Sequence, residues 1–164
     1  TNFVKKRQLK SLSLLLLSIA FTLVACDKVD LYEKSVAIPN HSWQSGFKPS
    51  VEFDISDTTS LYHVFVVLRH SDTYRHKNLW INLISEPPGA KADTVRMNLV
   101  LGNDEKGWLG KGMDDIFEHR ILFNAQGLRF MKTGHHKFTL QQIMRDDPLE
   151  HVFNAGIRLE KVSQ

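Results

Sequence analysis

Asn78-Leu79-Trp80-Ile81-Asn82-Leu83 sets an apolar residue at each odd position and an amide or a tryptophan at each even one. A period of two sends successive side chains to opposite faces of an extended chain, so the stretch predicts a strand with one buried face. The same alternation recurs in Val51-Glu52-Phe53-Asp54-Ile55, in Val95, Met97, Leu99 and Leu101, and in Phe153, Ala155, Ile157 and Leu159. Val64-Phe65-Val66-Val67-Leu68 is apolar at both parities, which predicts a central strand covered on both faces. Turn residues punctuate these runs at Asp57-Thr58-Thr59, Pro87-Pro88-Gly89, Gly102-Asn103-Asp104 and Thr133-Gly134. Short strands at such intervals, without a sustained 3.6-residue pattern, predict an all-β fold: an antiparallel β-sandwich, jelly-roll-like or Ig-like. Two short helical turns are expected beside the strands. One covers 113–118 with Asp114 as its cap, and the other covers 140–145, ended by Asp146-Asp147-Pro148.

The 164 residues suffice for one domain and not for two ordinary ones. Hydrophobic residues make up 42% and charged residues 24%, a globular mixture rather than a disordered one. The formal charge of +3 points at first to nucleic acid, but the surplus is local. Residues 1–25 hold Lys5, Lys6, Arg7 and Lys10 and no acid. Without these four, the chain's 21 basic residues are just outnumbered by its 18 acids, so no nucleic-acid partner is expected.

The leader has the three parts of a secretory signal: Lys5-Lys6-Arg7, an apolar run from Leu12 to Val24, and small residues before a cut. The run is too short to span a bilayer as a helix, which takes ~20 residues. It closes in Leu23-Val24-Ala25-Cys26, which resembles the lipobox of bacterial lipoproteins and contains the chain's one cysteine. That resemblance implies a diacylglycerol on the Cys26 thiol, cleavage before it, and acylation of the new amino group. Two or three acyl chains, at ~0.8 kcal/mol per buried methylene, anchor stably where one is marginal. The expected organisation is a lipoprotein signal peptide over 1–25, a lipidated tether over 26–30 and one β-sandwich domain over 31–164.

Eight histidines raise the question of a metal, but no His-x-His or His-Glu-x-x-His spacing is present. His63 and His70 have opposite parity on one strand, and His135 and His136 diverge on an extended chain. No metal and no cofactor is expected. The pairs Asp114-Asp115 and Asp146-Asp147 read as turn and cap residues before they read as the two carboxylates of a glycosidase. There is no Gly-x-Ser-x-Gly, and the cysteine is committed to lipid. Gly107-Trp108-Leu109-Gly110-Lys111-Gly112 superficially resembles a phosphate loop but lacks its spacing and its Ser or Thr after the lysine. The chain is therefore not read as an enzyme. Trp80, on one face with Asn78 and Asn82, suits a surface that stacks on a sugar or a partner protein. Trp108, between glycines, is a second contact candidate.

Several strings, in order and spacing, resemble the GldH family of gliding-motility lipoproteins from Bacteroidota. They are Arg69-His70 followed by Tyr74 and Asn78-Leu79-Trp80, Trp108-Leu109-Gly110-Lys111-Gly112 with Asp115-Ile116, and Met144-Arg145-Asp146-Asp147-Pro148-Leu149 leading to Gly156-Ile157-Arg158-Leu159-Glu160-Lys161. His76-Lys77 and Glu150-His151 depart from the family pattern. The resemblance implies an envelope lipoprotein associated with gliding and type IX secretion, anchored at the outer membrane and facing the periplasm, an accessory or assembly factor without known catalysis. The expected partners are the membrane, through the lipid, and other gliding or type IX secretion envelope proteins; a glycan is the alternative ligand. The expected binding surface comprises Arg69, His70, Asn78, Trp80, Trp108, Lys111, Asp115, Arg145 and Asp147, because binding residues concentrate on the loops of rigid sandwiches.

Overall fold

The computed structural model describes residues 31–162, so the expected signal peptide, Cys26 and the expected tether lie outside the described residues. In chain order the strands are β1 (Leu31–Ala37), β2 (Ser42–Trp43), β3 (Ser50–Ile55), β4 (Tyr62–Ser71), β5 (Asn78–Glu86), β6 (Asp93–Val100), β7 (Gly102–Asn103), β8 (Gly107–Trp108), β9 (Lys111–Met113), β10 (Ile116–Leu122), β11 (Gly134–Gln142), β12 (Leu149–Glu150) and β13 (Val152–Lys161). Of four sheets among the described residues, the two large ones run β1-β13-β4-β10-β9 and β3-β11-β5-β6, and β2-β12 and β7-β8 are two-stranded, all neighbours antiparallel. The eight long strands, ranked along the chain, stand as first, eighth, third and sixth in one sheet and second, seventh, fourth and fifth in the other. That is the jelly-roll order, which decides between the two expected sandwich types.

The period-two runs are the reason for this architecture. Val51, Phe53 and Ile55 from β3, Leu79, Ile81 and Leu83 from β5, and Phe138 and Leu140 from β11 are buried against Val64, Val66 and Leu68 of β4 and Ala155, Ile157 and Leu159 of β13. Trp43 is wholly buried in the same core. β4 is central in its sheet, as its unbroken apolar run predicts. Its second face is covered by a ladder of charges, because Val67 lies under Arg120, which reaches across β4 and β13 to Glu33 of β1 at 2.9 Å. Arg158 joins Glu33 at 3.1 Å, and Glu118 joins Arg120 at 2.5 Å. Gly156 makes the close approach of β1 possible, since a Cβ there would stand 2.2 Å from the Lys34 carbonyl oxygen.

Neither expected helical turn is present. Asp114-Asp115 is the two-residue loop of the β9–β10 hairpin, with Met113 opposite Ile116 and Asp114 at φ 53°. An Asp in the left-handed region suits a tight hairpin and cannot be the extended N-cap of a helix. Leu140–Gln142 continues β11, where buried Leu140 stands opposite Leu83 of β5 and its amide donates to the Pro49 carbonyl at 2.9 Å. The one helical turn among the described residues is the 3₁₀ turn Pro39–His41.

Candidate functional site

One end of the sandwich collects the segments expected to bind. The β4–β5 loop is tied to the β9–β10 hairpin by the Asp72 amide donating to the Asp115 carbonyl at 2.8 Å, and to the end of β6 by the Leu101 and Gly102 amides donating to the Lys77 carbonyl. His76 meets Asp146 at 2.9 Å, which brings in the β11–β12 loop. That loop is held in turn by Asp147, which accepts from the Ser45 amide at 2.8 Å and the Ser45 hydroxyl at 2.5 Å. The Ser45 hydrogen bonds hold the Asp147 carboxyl below the usual carboxylate range.

An aromatic cluster supports this end from within. His70 has no exposed surface and is surrounded by Tyr74, Trp108, Phe117 and His119, with the edge of Trp108 at 4.4 Å between ring centroids. His70 Nδ1 lies 2.6 Å from the Ser71 carbonyl, so that nitrogen carries the proton, and Nε2 must accept from His119 Nε2 at 2.9 Å. Burial pushes His70 below the ordinary histidine range despite the Ser71 bond, and burial with the neighbouring His70 lowers His119 to about 4. Both imidazoles are therefore neutral at pH 7. Their hydrogen bonds go to each other and to a backbone carbonyl, an arrangement that fixes packing and activates no nucleophile. Burial and the Asp146 charge raise the Tyr74 hydroxyl, which donates to the Asn78 carbonyl at 3.2 Å.

The glycine-rich stretch has a packing explanation in place of a phosphate one. A Cβ on Gly110 would lie 2.7 Å from both the Glu118 carbonyl and His119 Nε2, and one on Gly112 would lie 2.9 Å from the Phe117 ring. Glycines let this segment pass flat over the two rings. Beside it an open groove of about 420 Å³ is lined by Val100, Leu109, Lys111, His119 and Ile121, among others. Leu109 and the 75%-exposed Met113 leave apolar surface around the groove.

The expected residues divide between those that can touch a partner and those that hold the end together. Lys111, Asp115, Arg145 and Asp147 are exposed, and Asn78 is half-buried, donating to Asn98 at 2.8 Å. Trp80 is half-buried on the outer face of the β3-β11-β5-β6 sheet with the Arg96 guanidinium 4.9 Å over its ring. Arg69 Nε forms an ion pair with Glu118 at 3.8 Å, too far for a hydrogen bond, so this buried nitrogen has no hydrogen-bond partner. His70 is wholly internal, and Trp108 is half-buried against the core, so both support the surface from beneath. A helix over 113–118 would hide the roles of Phe117 and of His119 just beyond it, neither of which is among the expected site residues. The alternation of Phe117, His119 and Ile121 with Glu118 and Arg120 was the available signal. Among the described residues no three His, Cys, Asp or Glu converge as a metal site would require.

Comparison with known proteins bears on the whole of this domain. The jelly roll is similar to two solved carbohydrate-binding modules: TmCBM61, in complex with beta-1,4-galactotriose (18% identity, 80% of this chain and 71% of that one, TM-score 0.40), and the non-crystalline-cellulose-specific CBM28 (14% identity, 79% and 73%, TM-score 0.44). Both are too distant to say anything of a ligand here. Among sequences, the chain is 31% identical over 153 residues, 86% of this chain and 91% of the relative, to the gliding motility lipoprotein GldH homolog of Christiangramia forsetii. It is 24% identical over 161 residues, 94% of this chain and 98% of the relative, to the gliding motility lipoprotein GldH of Flavobacterium johnsoniae. The model of the GldH lipoprotein family matches residues 30–159, from the residue before β1 to near the end of β13. With a family model matched over nearly all of the described domain, the chain belongs to the GldH lipoprotein family.

Proposed function

We propose that this protein is an outer-membrane lipoprotein, anchored through acylated Cys26 and facing the periplasm, that serves gliding motility and the associated type IX secretion machinery as a non-catalytic assembly factor. It docks another envelope protein through the loop end. The observation that carries this reading is the convergence there of the 69–80, 108–115 and 145–147 segments, tied by His76–Asp146 and Asp72–Asp115, with an open groove beside Leu109–Lys111. Exposed Leu109 and Met113, in one stretch with exposed Lys111 and Asp115, give this end the make-up of a protein interface. Neutral, mutually bonded histidines and turn-bound aspartates support a binding role over a catalytic one. Mild crosslinking in the native envelope, followed by isolation of the acylated protein and mass spectrometry, tests the proposal. Gliding or type IX secretion components are expected with the native protein and are lost with Cys26→Ser; their absence from both samples contradicts it.

A second reading rests on the sheet face around Trp80, where Arg96, Asn78 and Asn98 place amides and a cation beside the indole. A glycan could stack there. Retention on polysaccharide or peptidoglycan columns, lost with Trp80→Ala, supports that reading, and passage through the whole panel removes it.

A further inference from the structure

The opposite end of the sandwich has a different character, and the position of β1 says what it faces. β1 begins at Leu31 opposite Glu160, beside the end where β13 finishes and β4 starts. The loops 56–61, 87–92 and 123–133 close that same end. From Cys26 to Leu31 the chain spans at most about 17 Å when fully extended, so a lipid on Cys26 holds this end, and not the other, next to the bilayer.

Its chemistry fits that position. Met131 is 82% exposed, and Leu61, Leu128 and Tyr32 also leave large apolar surface in water. Pro87, Ala90, Leu128, Phe130 and Met131 line an apolar groove there. The three loops carry the exposed cations Lys91, Arg129 and Lys132 against one acid, Asp57, and of the two acids that flank the 87–92 loop, Glu86 is paired with Lys137 and Asp93 is exposed. Asp57 is already engaged by Thr59, Ser60 and Lys161. Lys132 donates to the Pro88 and Gly89 carbonyls at 3.4 and 3.5 Å, which draws the two longer loops together. The far end is the reverse: acids outnumber bases in its loops, with Asp114-Asp115 and Asp146-Asp147 foremost. Cationic near a negative surface and acidic away from it is the arrangement that orients a protein on an anionic bilayer.

We propose that the 56–61, 87–92 and 123–133 loops rest on the headgroup region of an anionic bilayer, Met131 and Leu128 entering its apolar margin while Lys91, Arg129 and Lys132 face lipid phosphates. An apolar-tipped, basic surface enters an interface by roughly 5–10 Å. The partner-binding end is then presented one strand length away, about 33 Å for the ten residues of β4. The inference rests on acylation at Cys26. Acylation also blocks that thiol, so a cysteine introduced elsewhere is the sole site for a spin label.

The test uses the acylated full-length mature protein in vesicles of phosphatidylcholine and phosphatidylglycerol, labelled at Met131→Cys or, at the far end, Lys106→Cys. Flotation with the vesicles, lost in Cys26→Ser, reports the anchor separately. The label at 131 is expected to collide with oxygen in preference to a water-soluble nickel chelate, and the label at 106 to show the opposite preference. Adding Lys91→Glu, Arg129→Glu and Lys132→Glu should abolish that preference while flotation persists. Flotation with both labels equally open to nickel overturns the orientation and leaves the anchor standing. A label at 131 shielded from both quenchers means that another protein copy covers this end, which also overturns the proposal. Failure of the native protein to float overturns the anchor and the orientation with it.

Discussion

His70 and His119 face each other Nε2 to Nε2 at 2.9 Å, their ring planes 17° apart, in the interior of the loop end. The pair is built for neutral rings, so the folded state resists protons that the unfolded chain accepts. His119 falls from an ordinary value of 6.5 to about 4, and His70 falls as well. Because the unfolded state binds more protons in that window, stability rises with pH through it and is lost as pH drops from about 6.5 towards about 4. Denaturant titrations should show this decline, worth roughly 3 kcal/mol for His119 alone. A His119→Gln variant should lose most of the slope while remaining folded at pH 7.

Trp108 and Trp80, which look alike in sequence, should separate in stability. Trp108 packs its edge on His70 and abuts Tyr74 and Phe117, so Trp108→Ala opens a cavity beneath the loops and should cost about 2–4 kcal/mol. Trp80 keeps the Arg96 contact on an outer face, and Trp80→Ala should cost about 1 kcal/mol or less. Thermal unfolding of the two variants distinguishes them. A large loss at Trp80 would show that its face is covered by more than Arg96.

Gly156 should tolerate no side chain. The alanine Cβ would stand 2.2 Å from the Lys34 carbonyl and 2.5 Å from Ser35 Cα, backbone atoms that cannot swing aside. Gly156→Ala should therefore push β1 off β13 at a cost of at least about 2 kcal/mol. Amide exchange should speed up first along Leu31–Ala37.

The ladder over Val67 should matter less than its length suggests. Burial raises the Glu33 carboxyl, but the Arg120 and Arg158 hydrogen bonds and charges outweigh it and leave the pKa below the ordinary 4.5. A depressed carboxylate stabilises above its unfolded value, and the contribution goes as pH falls through the folded one. The pairs are partly solvated, so Glu33→Gln should cost about 1 kcal/mol or less and less still in high salt.

Much of the fold was legible because a half-buried strand writes a period of two into its sequence. Leu79, Ile81 and Leu83 are buried while Asn78, Trp80 and Asn82 are not, as the alternation predicts. The hairpin at Asp114-Asp115 was misread since an aspartate before a short amphipathic stretch marks a helix cap and a tight turn equally well, and only the pairing of Met113 with Ile116 decides. The site was legible in its segments and not in its roles. Sequence marks Arg69-His70 and Trp108 as unusual, but whether a ring points into the core or into water depends on what crosses over it. Gly110 and Gly112 bring the 107–113 segment down onto His119 and Phe117, and the cluster closes through a contact forty-nine positions apart in the chain. No local pattern encodes such a contact.

Docking of another envelope protein is the role proposed for the loop end. A photoreactive residue placed at Lys111, beside the groove, and separately at Lys91, at the other end, tests it in the acylated protein within its own envelope. The account predicts a discrete crosslinked protein partner from position 111, weakened by Lys111-adjacent changes such as Leu109→Ala, and none from position 91. Crosslinks from 91 with none from 111, or no protein crosslink from 111 in any growth state, would contradict it.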